Sequence, residues 1–220
     1  MTAVLRRPLR VLVGCEFSGR VREAFRLRGH DAWSCDVLPA EDGSNHHIIC
    51  DVRHILRPTS DNTFYRGESW DLAIFHPPCT YLCNSGVRWL YKGGKGNERD
   101  DVRWDSMVAA CGFFEDLLGR TGLHEIPRIA IENPIMHGHA SSRINCTPTQ
   151  IIQPYDFGEP ETKATCLWLR GLPPLQPTNR VEGRAPRVHH ESPGPNRWKA
   201  RSRTYQGIAA AMAEQWGGLR

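Results

Sequence analysis

Asp71-Leu72-Ala73-Ile74-Phe75-His76-Pro77-Pro78-Cys79-Thr80 is an apolar run that stops on two prolines and then presents a cysteine. Leu72 to Phe75 shows no alternation, the pattern of a short strand buried on both faces of a parallel sheet. Pro77 and Pro78 cannot continue a hydrogen-bonded ladder, so the chain must leave the sheet there in a rigid, extended form. Cys79 is thereby delivered to the carboxyl end of the strand, where open α/β sheets bind ligands. A thiol on such an elbow suits nucleophilic attack, although a cysteine packed in the core satisfies the same local pattern.

The pattern returns about fifty residues on. Ile129-Ala130-Ile131-Glu132-Asn133-Pro134 is again an apolar run that meets a proline, now with a carboxylate and an amide at its edge. Upstream, Leu9 to Val13 reads as the first strand and Arg20 to Arg28 as a helix, joined by Gly14-Cys15-Glu16-Phe17-Ser18-Gly19. Glycines in a strand-to-helix turn permit positive φ and a close approach of backbone to ligand. Ala32 to Asp36 reads as strand two, with Asp36 about 20 residues beyond the turn, where nucleotide-binding folds place the acid that takes a ribose. Ile48 to Val52 reads as strand three, carrying Asp51.

The long stretch Ser85 to Arg103, rich in glycine and charge, is a loop of the length that usually carries function. An amphipathic helix follows over about 104–118. Met136 to Ser142 reads as a polar turn region, and 150–154 with 165–169 as an antiparallel pair. Gly207 to Trp216 is an alanine-rich helix stopped by Gly217 and Gly218.

Taken together, Pro78-Cys79, Glu132-Asn133, Glu16-Phe17-Ser18-Gly19 and Phe157-Gly158-Glu159-Pro160-Glu161-Thr162-Lys163 resemble the ordered motifs of DNA cytosine-5 methyltransferases. The resemblance runs through nearly the whole chain and is to a compact, phage-like member with a minimal target-recognition region. It implies a Rossmann-like class I S-adenosylmethionine-dependent α/β fold, a mostly parallel sheet flanked by helices with an antiparallel strand pair near the C-terminus. The implied cofactor is S-adenosylmethionine, held by Gly14, Glu16, Phe17, Ser18, Gly19, Asp36, Asp51 and Pro77. The implied catalytic set is Cys79 attacking C6 of a flipped cytosine in duplex DNA, Glu132 on the N3 and amino edge, Asn133 orienting the loop, and Lys163 bracing the base or Glu132. Lys163 stands where the family has an arginine, which exchanges a planar fork for a point charge. Amino-methyltransferases carry an aromatic residue after a similar Pro-Pro, so Cys79 in that place points to carbon as the methyl acceptor.

At 220 residues the chain suits one catalytic domain, 1–170 with 204–220, interrupted by a short basic Pro/Arg-rich segment at 171–203. From Arg180 to Arg203 seven Lys/Arg stand against two Glu, which makes Arg197, Lys199 and Arg201 candidates for phosphate contact, with Arg88, Lys92 and Lys95 of the long loop. The eight cysteines lack framework spacing, and no apolar run is long enough for a membrane span or a signal core; reduced thiols and a cytoplasmic setting are expected. His76, Cys79 and Cys83 invite a zinc reading, but three residues separate the cysteines where zinc deaminases have two, so no metal is expected. Two other functions share these residues: modification of a pyrimidine nucleotide or single strand, and non-catalytic nucleic-acid binding.

Overall fold

A computed structural model describes residues 7–57, 69–94, 96–187, 194 and 197–219. Seven strands form one sheet: β1 (Arg10–Gly14), β2 (Asp31–Asp36), β3 (His47–Ile49), β4 (Leu72–Phe75), β5 (Ile129–Pro134), β6 (Gln150–Ile152) and β7 (Thr165–Arg170). Their order is β3-β2-β1-β4-β5-β7-β6, with β7 antiparallel to both neighbours and the remaining pairs parallel. This is the Rossmann-like class I arrangement expected from the sequence, including the antiparallel pair near the C-terminus.

The apolar runs have no alternation because helices cover both faces of the sheet. On one face Val11, Val13, Leu72 and Ile74 pack with Val21 and Phe25 of α1 (Arg20–Arg26). Ile208, Met212 and Trp216 of the last helix, Gln206–Gly217, join the same core. On the other face Leu12, Phe75, Ile129 and Ile131 pack with Val52 and Ile55 of α2 (Val52–Leu56) and with Met107 and Phe114 of α3 (Asp101–Leu117). Each fully buried side chain of this kind stabilises the fold by about 1.5–3 kcal/mol.

Three local expectations need correction. Strand three ends at Ile49, because the Asp51 carboxylate accepts the Arg53 N–H and starts α2 as its cap. The Ser85 to Arg103 stretch is not an open loop: a 3₁₀ helix spans Asn84–Leu90, Tyr91 bridges to Arg99, and Asp100 caps α3. The polar turn after Pro134 contains α4 (Gly138–Ile144), capped by His137, whose Nδ1 accepts the Ala140 N–H at 3.2 Å. Histidine is not among the usual capping residues, which hid that helix start from the pattern.

The register fixes what lies at the carboxyl edge. Gly14 pairs with both Cys35 and Phe75, and Phe75 with Ile131. The next residue on each strand therefore falls in one row: Asp36, Cys15, His76 and Glu132. Neighbouring strands lie about 4.8 Å apart, so this row runs continuously from the outer strands to the centre of the sheet.

Candidate active site

The β1–α1 turn is built around a buried carboxylate. Glu16 accepts the N–H groups of Val21 at 2.7 Å and Arg22 at 3.3 Å and the Ser18 hydroxyl at 3.5 Å, so it caps the first turn of α1. Burial pushes its carboxyl above the usual carboxylate range. Positive φ occurs at Cys15 (60°) and Gly19 (70°), not at Gly14. Gly14 is needed for a different reason: a Cβ there would lie 2.6 Å from the Phe75 ring and 2.8 Å from Val52. A non-glycine residue in the left-handed region stores strain, which is common beside ligand sites. Beneath the turn the guanidinium of Arg22 is wholly buried and donates to Ser34 at 2.7 Å, to Glu23 at 3.0 Å and to Asp42. Nothing in the helical pattern distinguishes Arg22 from the surface arginines around it.

At the β2 end of the row, Asp36 accepts the Leu38 N–H at 3.0 Å and has no ion-pair partner among the described residues. Burial pushes its carboxyl up. Exposed Val37 and Ile49, the latter paired in register with Asp36, supply an apolar surface beside it. Phe17 is 7% exposed, and its ring centroid lies 5.7 Å from that of Trp198. A half-buried carboxylate beside an apolar patch and a strained turn fits a cofactor that carries a ribose and a flat ring. Asp51 is differently engaged: Arg53 grips its carboxylate at 2.6 Å and holds it below the usual range.

The other end of the row carries the reactive groups. Asn133, buried, donates its amide N–H to the Pro77 carbonyl at 2.9 Å and so ties the proline elbow of β4 to β5. His76 Nδ1 lies 3.1 Å from Glu132 Oε2, both side chains nearly enclosed, while His76 Nε2 is buried without a hydrogen-bond partner among the described residues. Burial alone would raise the Glu132 carboxyl. The His76 hydrogen bond and the Lys163 charge outweigh it and hold the group below its ordinary value.

Beyond the elbow the chain turns back, with Leu82 and Cys83 both donating N–H to the Cys79 carbonyl at 3.0 Å. The neighbouring Cys83 thiol, burial and the Glu132 charge push the Cys79 thiol up, while Lys163 opposes the rise. Cys83 is drawn down to about 5 by the Cys79 thiol and by the Ser85 hydroxyl at 3.1 Å. Lys163 donates Nζ–H to the Arg201 carbonyl at 3.0 Å and its own N–H to Gln153 at 3.0 Å.

Cys79, Glu132, Asn133 and Lys163 thus share one neighbourhood at the carboxyl edge of the sheet. The residues expected at phosphates divide. Arg88 stacks over Trp89 at 4.4 Å, and Lys92 pairs with Glu98 at 2.7 Å on the surface. Lys95 lies outside the described residues, as do 188–193 and 195–196 of the basic segment. Arg197, Lys199 and Arg201 sit on α5 (Arg197–Ser202). Beside it a cleft of about 340 Å³ is lined by Arg20, Lys163, Arg187, Arg201 and Arg203, with Glu161 and Tyr205. Sequence reasoning assigned no role in the site to His76 or Cys83, and only their places next to Pro77 and four residues after Cys79 could have pointed to one.

No protein-family model matches the chain, and no curated protein does. Solved structures that resemble it include a candidate DNA modification methyltransferase encoded within an E. coli prophage, at 15% identity and a TM-score of 0.45 over 73% of this chain and 46% of that one. Another is the S. pombe Dnmt2 methyltransferase, at 16% identity and a TM-score of 0.43 over 84% of this chain and 54% of that one. The chain spans about half the length of either.

Proposed function

We propose that the protein transfers a methyl group from S-adenosylmethionine to C5 of cytosine in DNA, with Cys79 as the nucleophile. The observation that carries this is the joining of two strand ends: Asn133, next to Glu132 on β5, donates to the Pro77 carbonyl at 2.9 Å and holds the elbow that presents Cys79. Cysteine, a carboxylate and a cation around one point suit addition to a pyrimidine ring. Cys79 attacks as its thiolate: the sulfur bonds to C6, and the electron pair of the C5–C6 double bond shifts to C5 and toward N3. Glu132 faces the N3 and amino edge and, protonated or sharing a proton with N3, limits the charge that the ring must carry. Loss of such a stabiliser typically slows a reaction by about 10²–10³-fold. Asn133 keeps the elbow that aims the thiol, and Lys163 braces the base or Glu132.

The cofactor, when bound, supplies an electrophilic methyl on a sulfonium. Asp36 would hold its ribose, with Phe17, Ser18, Gly19 and Pro77 forming the remaining wall and the Val37 and Ile49 surface receiving the adenine. Gly14, Glu16 and Asp51 would act by shaping that wall, since Gly14 admits the Phe75 ring and the two carboxylates are engaged within the fold. A target base in duplex DNA must first be flipped out, at a cost of a few kcal/mol. The cationic cleft beside Lys163 and the arginines of α5 would follow the DNA backbone.

The test is a covalent trap. DNA containing 5-fluorocytosine cannot release its C5 substituent as a cation, so enzyme and methylated DNA stay joined. A denaturation-resistant adduct is expected that requires S-adenosylmethionine and is lost in Cys79→Ser, because a serine hydroxyl is hardly ionised at neutral pH. Methylation at a normal rate without Cys79 would end the cytosine-5 reading. Labelling of single strands or free dCMP in place of duplex would move the substrate class.

A further inference from the structure

We propose that the cleft beside Lys163 is a subsite for the nucleotide next to the target: Arg20, Arg201 and the Tyr205 hydroxyl hold its phosphate, and Glu161 accepts a hydrogen bond from its base. The subsite rests on nucleic acid being the substrate and is independent of the C5 chemistry. At about 340 Å³ the cleft falls within the range of small-ligand sites. Its walls come from the start of α1, the loop between β6 and β7, Arg187 and the C-terminal span. The loop is braced on the far side, where Glu161 bridges to Ala185 and the Thr162 N–H donates to the Ala185 carbonyl at 3.2 Å.

The charges in the cleft do not balance. Arg203 is paired with Glu41, and Arg187 with Glu161 Oε1 at 3.1 Å. Arg20 and Lys163 are held by carbonyls instead, of Thr204 at 2.8 Å and of Arg201 at 3.0 Å. A carbonyl positions a cation without cancelling its charge. Arg201 lines the same wall, so positive charge is in excess at fixed points, which suits a phosphate.

Two polar atoms of the lining residues are buried with no hydrogen-bond partner among the described residues, the Tyr205 hydroxyl and Glu161 Oε2. Glu161 as a whole is 8% exposed. Burying such groups unpaired is unfavourable, so a ligand that pairs them gains what the empty cleft lacks. Burial and the charges of Glu161 and Glu159 push the Tyr205 hydroxyl up to about 12, which keeps it a donor at neutral pH. One donor and one charged acceptor are thus open together. Bare phosphate satisfies the hydroxyl and is repelled by the carboxylate. A nucleotide satisfies both, with acceptor oxygens on the phosphate and N–H groups on the base. The amino-acid end of S-adenosylmethionine also joins an anion to an N–H donor, but the excess of cations favours phosphate over a single carboxylate.

The test is fluorescence anisotropy of a short labelled single strand with the full-length protein across a salt series. Tyr205→Phe removes a hydroxyl and no charge, so binding should weaken about tenfold at every salt concentration with an unchanged salt slope. Arg201→Gln should flatten the slope of log K against log salt by about 0.7, the share of one phosphate on a single strand. In competition dGMP, which is not the target, should displace the strand at lower concentration than inorganic phosphate or deoxyguanosine. Its advantage over phosphate should shrink severalfold in Glu161→Gln, because that change relieves repulsion for both and weakens the base contact for one. Thermal melts establish that each variant is folded. Equal affinity of wild type and folded Tyr205→Phe would overturn the subsite, and an undiminished preference for dGMP in Glu161→Gln would overturn the base contact. Displacement of the strand by S-adenosylmethionine would give the cleft to the cofactor and overturn the proposal. The 5-fluorocytosine trap run in parallel keeps the two ideas apart. No wild-type adduct with the Tyr205→Phe loss intact removes the C5 chemistry and leaves the subsite, whereas an adduct with unchanged Tyr205→Phe affinity removes the subsite alone.

Discussion

His76→Phe removes the hydrogen-bond donor from Glu132 while keeping a flat ring in the same space. Wild-type Glu132 is depressed, so its contribution to stability is present above the unfolded carboxyl value and is lost as pH falls through the folded one. Without His76 burial dominates, and Lys163 alone opposes it; the carboxyl then rises above the unfolded value. A raised carboxyl contributes stability at low pH and loses it as pH increases, so the gap between the two proteins must open upward in pH. The His76 Nδ1–Glu132 hydrogen bond at 3.1 Å has a charged acceptor, and such bonds are worth about 1.5–3 kcal/mol net. Removing the donor leaves a buried carboxylate oxygen without its partner, which costs about 1–3 kcal/mol and more for a charged group. Proton uptake by Glu132 caps that cost at about 1.4 kcal/mol per pH unit above the ordinary carboxyl value. The expected destabilisation is roughly 3 kcal/mol at about pH 7 and below about 1 kcal/mol at about pH 5. Urea denaturation at several pH values measures it. In the double variant His76→Phe/Glu132→Gln the gap should be flat with pH. A gap in the single variant that is constant, or that narrows as pH rises, would refute the assignment of Glu132 to His76.

Three further outcomes are expected. Gly207→Ala places a methyl group on the Phe157 carbonyl oxygen, a backbone atom that cannot swing aside, and should destabilise the protein by about 2–3 kcal/mol or more in a thermal melt; an unchanged melting temperature would show that the last helix does not seat as described. Asp36→Ala should weaken S-adenosylmethionine binding in calorimetry by about 1–3 kcal/mol with little change in stability. Asp51→Ala should do the reverse and cost about 1 kcal/mol of stability through the lost helix cap. Equal affinity in wild type and Asp36→Ala would remove Asp36 from the cofactor site.

The strands were legible because both sheet faces are covered. An unalternating run as short as Leu72 to Phe75 is too brief for a buried helix and suits a strand enclosed on both sides, and its proline stop marks the carboxyl edge. Cys79, Glu132 and Asp36 were legible for the same reason: a polar residue at the end of a buried strand stands out against it. What stayed hidden depends on neighbours far along the chain. Glu16 looks like a ligand residue, but its carboxylate is closed on the N–H groups of α1. Arg22 has the spacing of a surface residue and the burial of a core one, because Ser34 on β2 and Asp42 after it meet the guanidinium. The short helix α4 has weak apolar periodicity, and its histidine cap is recognisable only from the fold. Cys83 reads as an ordinary thiol until the turn after the elbow brings its N–H to the Cys79 carbonyl.

The C-terminal segment links the two ends of the row at the carboxyl edge of the sheet. Between Arg197 and Gly207 each successive contact reaches a different part of the sheet edge. Trp198 lies against Phe17 at the glycine turn. The Arg201 carbonyl receives the Lys163 ammonium, and Arg203 pairs with Glu41 on the loop after β2. Arg20, the first residue of α1, donates to the Thr204 carbonyl at 2.8 Å. Gly207 then seats the last helix against Phe157, on the same loop that supplies Lys163. Phe17 and Lys163 belong to opposite ends of the reactive row, yet both are held by one span of about ten residues. Under the proposed function, a cofactor that orders this span from the Phe17 side would also fix Lys163, and nucleic acid that engages its arginines would fix the wall over Phe17. The two binding events should therefore favour one another, since each meets part of the ordering cost that the other would otherwise bear.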